Sequence, residues 1–372
     1  MIRYASEFDH SGYAVAARRY IRALLAAGVP LQWEPLANTN DGRVLTEREL
    51  AVHSELGDLA RATAVGRDTV ADVTLAHCMP KSWQRVFDEL PARRRIGQTV
   101  WETDTIPTPW HREVAAADEL WVPTRWNADA FRAAGWERPI AVVPHIVDAT
   151  IAAPPPIDLP DDVTVFVSIN AWETRKRPDL TIEAFLQAFT ADDPVVLVVK
   201  TGAAVVSWFT RSPMERHTWW QTMELVKRHP HAPAVQLETD VWTDAEVAGL
   251  VERADAYVTL TAAEGWGIGA FDAATRDVPV VITGGGGQRE WLSDDAPFVV
   301  PYTLEPAIHP DRDLFEPGMQ WARADVGAAA EMLRAIHEDR AAARRASAPM
   351  ADRLRRDYSP AAVGALMREV LG

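Results

Sequence analysis

The sequence predicts two doubly wound α/β domains joined by an extended linker, and three observations carry that prediction. Short apolar runs rich in β-branched residues alternate with amphipathic helical stretches along most of the chain, the pattern of parallel sheets covered by helices. Residues 151–162 (IAAPPPIDLPDD) hold four prolines and little apolar periodicity, and the strand–helix rhythm restarts directly after them. At 372 residues the chain is long for one core and natural for two.

The first half opens on a strand at residues 2–5 and a polar loop with His10, Ser11 and Gly12. A helix follows, because Tyr13, Ala17, Ile21, Leu24 and Leu25 share one face and Gly28 can end it. Further strands are expected at 73–76, 95–100, 119–122 and 140–143, and residues 126–135 have the polar start and glycine stop of a short helix. The second half restarts with the apolar run 163–169. The helix expected at 177–189 offers Leu180, Ile182, Ala184, Phe185 and Phe189 for burial. A strand is expected at 195–200, whereas the tryptophan-rich stretch 207–230 shows no period that assigns it an element. Strand 234–237, helix 244–254, strand 256–261 and strand 279–283 resume the rhythm, and helices at 326–337 and 360–371 close the chain. The expected domains are therefore 1–150 and 163–358 on either side of the linker 151–162, with the helix 359–372 placed to pack back on the first domain. No short internal repeat is present, which excludes a solenoid.

Composition removes several classes of function. The 38 basic and 53 acidic side chains leave a formal charge of −15, the wrong sign for gripping a phosphate backbone, so no nucleic-acid partner is expected. The same charge weakens docking on anionic lipid, although peripheral membrane contact stays open. One cysteine, Cys78, rules out an intramolecular disulfide. No signal-peptide pattern and no apolar run long enough to span a bilayer is found, so a soluble cytoplasmic protein is expected. Most of the 15 tryptophans are expected in core or interdomain packing.

The chemistry concentrates in residues 261–281, TAAEGWGIGAFDAATRDVPVV. Glu264 follows a strand by a few residues, and in open parallel sheets ligands bind at those strand ends. Gly265, Gly267 and Gly269 let backbone approach a ligand closely, since no Cβ intervenes. Asp272 lies in the first turns of the next helix. Two carboxylates so placed suit the paired hydroxyls of a ribose and a hexose. Spacing alone leaves a second reading open, a turn acid at Glu264 and a helix-capping acid at Asp272.

The segment EGWGIGAFDAATRDVPVV resembles the acid-x7-acid signature of retaining glycosyltransferases with the GT-B fold, the glycogen-synthase and sucrose-synthase-like group called family 4. Four further segments resemble that family in the right order: SGYAVAARRYIRALLAAG, WVPTRWNADAFRAAGW, VVPHIVD and NAWETRKRPDLTIEAF. The resemblance implies two Rossmann-like domains facing a central cleft, with the donor against the second domain and the acceptor against the first. It implies a nucleoside-diphosphate sugar as donor, UDP or GDP, and no cofactor.

By the same resemblance Glu264 contacts the donor sugar and Asp272, an aspartate where the family has glutamate, the ribose. Trp266 stands beside the donor or in the core. The amides from Gly267 through Ile268 and Gly269 open a helix and favour phosphate oxygens. Lys176 aligns with the family lysine that steadies the leaving diphosphate. The family arginine five residues earlier is Ala171 here, so Arg175 is expected to supply that charge. Gly284–Gly287 is a glycine run that either closes over substrate or is a mobile surface loop. In the first domain, Gly12 stands at a strand-to-helix turn. His77 matches a histidine that some relatives place near the donor sugar, with a structural role as the other option. His10, Glu102 and Asp104 are candidates for acceptor binding, and His145 for shaping the linker.

The primary expectation is a retaining transferase that acts on a hydroxyl of a glycan, glycolipid or small molecule. No Asp-x-Asp pair is placed in the loops expected at the cleft, so no metal is expected. One alternative keeps the fold but inverts configuration, with His77, Glu102 or Asp104 as general base. The other is a catalytically silent nucleotide-binding scaffold, which the replacements at Ala171 and Asp272 keep open. Hydride transfer is excluded by the lack of Gly-x-Gly-x-x-Gly after the first strand.

Overall fold

The computed structural model describes residues 1–7, 11–36 and 71–372. The chain divides into two compact units, Met1–Asp148 with Arg355–Gly372, and Ala149–Leu354. Both are Rossmann-like.

The first unit builds a parallel sheet from β1 (Ile2–Glu7), β2 (Leu31–Leu36), β3 (Ala71–His77), β4 (Ala92–Gln98), β5 (Glu119–Val122) and β6 (Ile140–Val142), in the order β2-β1-β3-β4-β5-β6. The strand β2 had no counterpart in the periodicity. Helix α1 (Gly12–Ala26) is capped by Ser11, whose Oγ accepts from the Ala14 amide at 3.2 Å, and its chain turns away at Gly28 with φ 76°. The helices α2 (Trp83–Glu89), α3 (Thr108–Glu113) and α4 (Arg125–Ala133) follow. The cap of α4 is Thr124, two residues before the helix range expected from sequence, and Thr124 Oγ1 accepts from the Asn127 amide.

The second unit arranges β7 (Thr164–Ile169), β8 (Val195–Lys200), β9 (Ala234–Glu238), β10 (Ala256–Thr259), β11 (Val280–Thr283) and β12 (Val299–Val300) in the order β12-β11-β10-β7-β8-β9, again parallel. Its helices are α5 (Pro178–Ala188), α6 (Thr218–Val226), α7 (Asp244–Arg253), α8 (Ile268–Thr275) and α9 (Val326–Glu338). Phe166, Phe185, Phe189, Leu333 and Ile336 pack one face of this sheet. In both sheets the order reverses beside the first strand, between β1 and β3 and between β7 and β10. Such reversal points open a crevice at the strand ends.

Further features escaped the sequence pattern. An antiparallel hairpin, β13 (Tyr302–Pro306) and β14 (Gln320–Ala324), stands off the main sheet. Helix α10 (Arg340–Asp357) runs through Pro349, a residue that argues against a helix interior. Helix α6 forms inside the stretch that had no assignment.

The last helix, α11 (Pro360–Leu371), packs on α1, where Gly364 meets the Ala23 carbonyl so closely that a Cβ there would lie 2.8 Å away. Arg94 holds its end, donating to the Leu371 and Val370 carbonyls at 2.9 and 3.0 Å. The proline-rich segment is extended and pinned rather than loose. The Ala153 amide donates to the Ala245 carbonyl at 2.9 Å, and a Cβ on Gly249 would sit 1.8 Å from Ala153 O. Backbone cannot yield to such an overlap without shifting α7. Gly249→Ala is therefore expected to lower stability by about 1–3 kcal/mol, read as an earlier urea midpoint; an unchanged midpoint would show that the segment does not bear on α7.

Candidate active site

Adjacent parallel strands β7 and β10 release their loops on the same edge, at the reversal of strand order. The β7 loop makes one turn of 3-10 helix, Thr174–Lys176, before α5 begins. The β10 loop carries Glu264 into α8. Lys176 Nζ donates to Glu264 Oε1 at 2.5 Å, and Arg175 Nη1 lies 3.7 Å from Glu264 Oε2. The two cationic side chains are 16% exposed and that of Glu264 9%, so the charges lie in a partly desolvated setting where their attraction is strong. The backbones are stitched as well. Arg175 O accepts from the Ala262 amide at 2.8 Å and from Thr261 Oγ1 at 3.1 Å, while Arg175 Nη1 donates to Ala263 O at 3.2 Å.

Two members of this network carried no signal in the sequence. Glu173 Oε1 accepts from Arg175 Nε at 3.0 Å. Burial alone would raise the Glu173 pKa, but Arg175, then Lys176, outweigh it and hold the carboxyl below its ordinary range. His309, from the hairpin's connecting loop, is buried, with Nε2 3.9 Å from Glu173 Oε1. Its Nδ1 accepts from the Asp311 amide at 3.0 Å, which puts the ring proton on Nε2, toward Glu173. Burial lowers the His309 pKa against the pull of Glu173, so the ring is neutral at pH 7.

The glycines hold this geometry by contact. Gly287 donates to Glu264 O at 2.7 Å, and a Cβ there would fall 2.1 Å from Gly265 O. The run Gly284–Gly287 is thus packed against the Glu264 backbone, a correction to the expectation of a mobile loop. Gly267 precedes α8 with φ 80°, and Gly269 leaves room for the Tyr257 hydroxyl, which would lie 2.5 Å from a Cβ. The Tyr257 phenol donates to Ile169 O and is pushed well up, first by burial and then by the charges of Glu264 and Asp272. Both acids therefore act on one buried ring, with Asp272 half-buried on α8. Ile268 opens α8. Trp266 is buried, stacking edge-on against Phe271, and its carbonyl accepts from Trp291 Nε1 at 2.7 Å. Of the two options for this ring, the structure puts it in the core.

In the first unit Gly12 opens α1 and His77 ends β3, both at the reversal of that sheet. His77 is enclosed by Tyr4, Tyr13 and Tyr20, with Tyr4 Oη 2.8 Å from Nδ1, and burial pulls its pKa down to about 3. That is the setting of a packed, neutral histidine. Glu102 is half-buried and close enough to Tyr13 to raise its pKa, although burial is the larger cause. Asp104 is exposed. His145 stacks on Tyr20. His10 lies outside the described residues. The chain does hold one Asp-x-Asp, Asp311–Arg312–Asp313, in the loop that carries His309. Its Asp311 Oδ1 accepts from the Asp313 and Leu314 amides at 3.1 and 3.2 Å, a turn-capping role. Among the described residues no group of metal-ligating side chains is found.

Two doubly wound parallel sheets, with basic and acidic side chains meeting at the reversal of the second, define the GT-B class of glycosyltransferase. The family model described as family 4 glycosyltransferase in conflict systems matches residues 129–366, and the chain belongs to that family. No curated protein matches the sequence. Among solved structures, the chain is similar to HepE of Anabaena in complex with UDP and glucose, at 12% identity and TM-score 0.64, covering 100% of this chain and 98% of that one. Sucrose-phosphate synthase of Thermosynechococcus elongatus is similar at 15% identity and TM-score 0.64, with the same coverage. TarM of S. aureus, in complex with fondaparinux, alpha-GlcNAc-glycerol and UDP, matches at 12% identity and TM-score 0.58, covering 82% of this chain and 56% of that one. At these identities the likeness shows the fold.

No helix among the described residues is long and apolar enough to cross a membrane. One outcome follows from the packing of the site. Because the folded Glu173 pKa is lowered, its stabilisation is full above the ordinary glutamate range and lost as pH falls through the folded value. The stability difference between wild type and Glu173→Gln, about 1–3 kcal/mol at neutral pH, should then shrink on acidification in urea titrations; a pH-independent difference would place the carboxylate outside the ionic network.

Proposed function

We propose that this glycosyltransferase moves a sugar from a nucleoside-diphosphate sugar to a hydroxyl of a glycan, glycolipid or small molecule, with retention of configuration. The contact of Lys176 with Glu264 is the observation that carries this reading. It sets a cation and a carboxylate where one molecule can touch both, at the strand-order reversal that suits nucleotide ligands. Lys176 and Arg175 would take the charge that grows on the departing diphosphate, and such preorganised charge lowers a barrier without reorganisation. We assign that compensation to these side chains rather than to a metal ion. Glu264 would fix the sugar hydroxyls and Asp272 the ribose. The amides of Gly267, Ile268 and Gly269 at the start of α8 would meet phosphate oxygens, with Gly265 and Gly12 giving close approach. In a retaining reaction of this kind the leaving phosphate oxygen takes the acceptor proton on the face where the bond broke, so no carboxylate nucleophile is needed. Glu102 and Asp104 are proposed to bind acceptor hydroxyls.

An inverting reaction needs a general base within reach of the acceptor. His77, whose basicity burial lowers and which three tyrosines enclose, is a poor candidate for it, which leaves Glu102 and Asp104 as the bases an inverting reaction would use. UDP is the first choice of nucleotide, since HepE and TarM were solved with it, and GDP the second.

Thermal-shift titration with UDP, GDP and their sugars should show a larger shift for one diphosphate than for its nucleoside. With that donor, Glu264→Gln and Lys176→Ala are each expected to cut turnover about a hundredfold. Near-normal turnover in both would remove the site assignment, and a β product from an α donor on NMR would replace retention by inversion.

A further inference from the structure

A pocket of about 290 Å³ lies on the second unit, lined in part by the turn that carries Arg175 and Lys176. Thr174 and Arg177 line it, whereas Arg175 and Lys176 between them meet Glu264. Thr174 and Arg177 form one wall of the pocket. Trp208 and Phe209 come from the tryptophan-rich segment, and Glu305, Ile308 and Trp321 from the hairpin and its loop. The hairpin is continuous with the candidate active site, because the Ala322 amide donates to Ala262 O at 2.9 Å, two residues before Glu264. Thr174 is fixed to the other wall through Ser207 O, which accepts from its amide at 2.8 Å and from its Oγ1 at 2.5 Å.

The polar floor is a fork between two carboxylates. Arg177 donates through Nε and Nη2 to Asp179 at 3.1 and 3.0 Å, and through Nη1 to Glu305 at 3.1 Å. Glu305 also accepts from Trp321 Nε1 at 3.2 Å and from Arg323 at 3.3 Å. These three bonds use three of the five guanidinium N–H groups, and each carboxylate keeps acceptor capacity on oxygens already fixed in place. Arg177 holds φ 47°, a left-handed conformation uncommon for a side chain of its size, and this clamp offsets the strain. Above the floor stand apolar faces in water: Phe209 is 53% exposed and Ile308 56%.

We propose that this pocket is a saccharide-binding subsite that holds one sugar ring of the acceptor. A pyranose has apolar C–H faces that lie on indole and phenyl rings, and a rim of hydroxyls that both donate and accept. The pocket offers both chemistries in one place, the pattern of a specific small-molecule site. Its volume, just below the roughly 300–1,000 Å³ of drug-sized sites, suits a single ring. Asp179 and Glu305 are paired with Arg177, and Glu305 with Arg323 as well, so the floor carries no net charge and suits a neutral ring; a nucleotide is the competing occupant. The inference rests on the proposed function for the word acceptor alone; the pocket's chemistry stands without it.

The test is binding to the whole protein with UDP present in excess, read by saturation-transfer NMR and tryptophan fluorescence. The probes are glucose, galactose, N-acetylglucosamine and their disaccharides, beside adenosine monophosphate and a short single-stranded RNA. At least one neutral sugar should bind with UDP present. Trp208→Ala and Phe209→Ala should each weaken it about tenfold or more, as for loss of an aromatic anchor, while Trp208→Phe, which keeps a flat wall, should retain most of the affinity. No sugar binding, sugar binding indifferent to both alanine variants, or tighter binding of the nucleotide or RNA through these walls would each overturn the proposal. The UDP thermal shift in the same samples reports on the donor site separately, so failure of one reading is not mistaken for failure of the other.

Discussion

The pairing of Lys176 with Glu264 is the constraint on which the second unit's strand-end geometry depends. Each side chain is mostly withdrawn from water, and a buried charge left alone is costly by several kcal/mol. The two therefore satisfy one another, with Arg175 and Glu173 extending the alternation of charge behind them. A ligand that enters must offer each a replacement: an anion for Lys176, hydroxyl donors for Glu264. A nucleoside-diphosphate sugar carries both on one molecule, a few bonds apart. Under the proposed function the ion pair would work as a selectivity device, because a ligand that meets only one partner leaves the other charge uncompensated.

Such a pair is useful only if the loops that carry it stay in place. Here the backbone supplies the rigidity. The Ala262 amide donates to the Arg175 carbonyl, the Arg175 guanidinium donates to the Ala263 carbonyl, and Gly287 closes on Glu264 from a third loop. Glycine serves at Gly287 for contact rather than mobility. The run Gly284–Gly287 looks flexible as a string of letters, yet its amide and Cα faces are occupied by Glu264 and Gly265. Underneath, Trp266, Phe271 and Trp291 form a dry aromatic layer that fixes the start of α8. Precise charge placement is thus a result of core packing.

The sequence disclosed what is local. Alternating apolar runs placed most of the main-sheet strands, and the glycine-spaced acids with the basic turn placed Glu264, Lys176 and Arg175 at strand ends. What it hid was long-range or insensitive to period. Glu173 looks like any loop acid until Arg175 is folded over it, and His309 reaches it from a hairpin that no periodicity marked. Trp266 could not be sorted between core and ligand, since a short glycine-rich turn has no period to show which way a ring points. His77 was legible as a strand-end histidine, but its three tyrosine neighbours come from β1 and α1. Helix α10 was obscured by Pro349, where tertiary packing of Met350, Ala351 and Leu354 overrides a local breaker.

The turn Thr174–Arg177 joins these scales. This single turn serves two surfaces at once. Arg175 and Lys176 serve the acid of the β10 loop; Thr174 and Arg177 serve the floor and wall of a pocket built by the Trp208 segment and the hairpin. Arg177 pays for this with a left-handed backbone that glycine would adopt freely, and it is held there by two carboxylates. The same few bonds of backbone thus bear both surfaces: Lys176, which meets Glu264, is followed directly by Arg177, which meets Asp179 and Glu305.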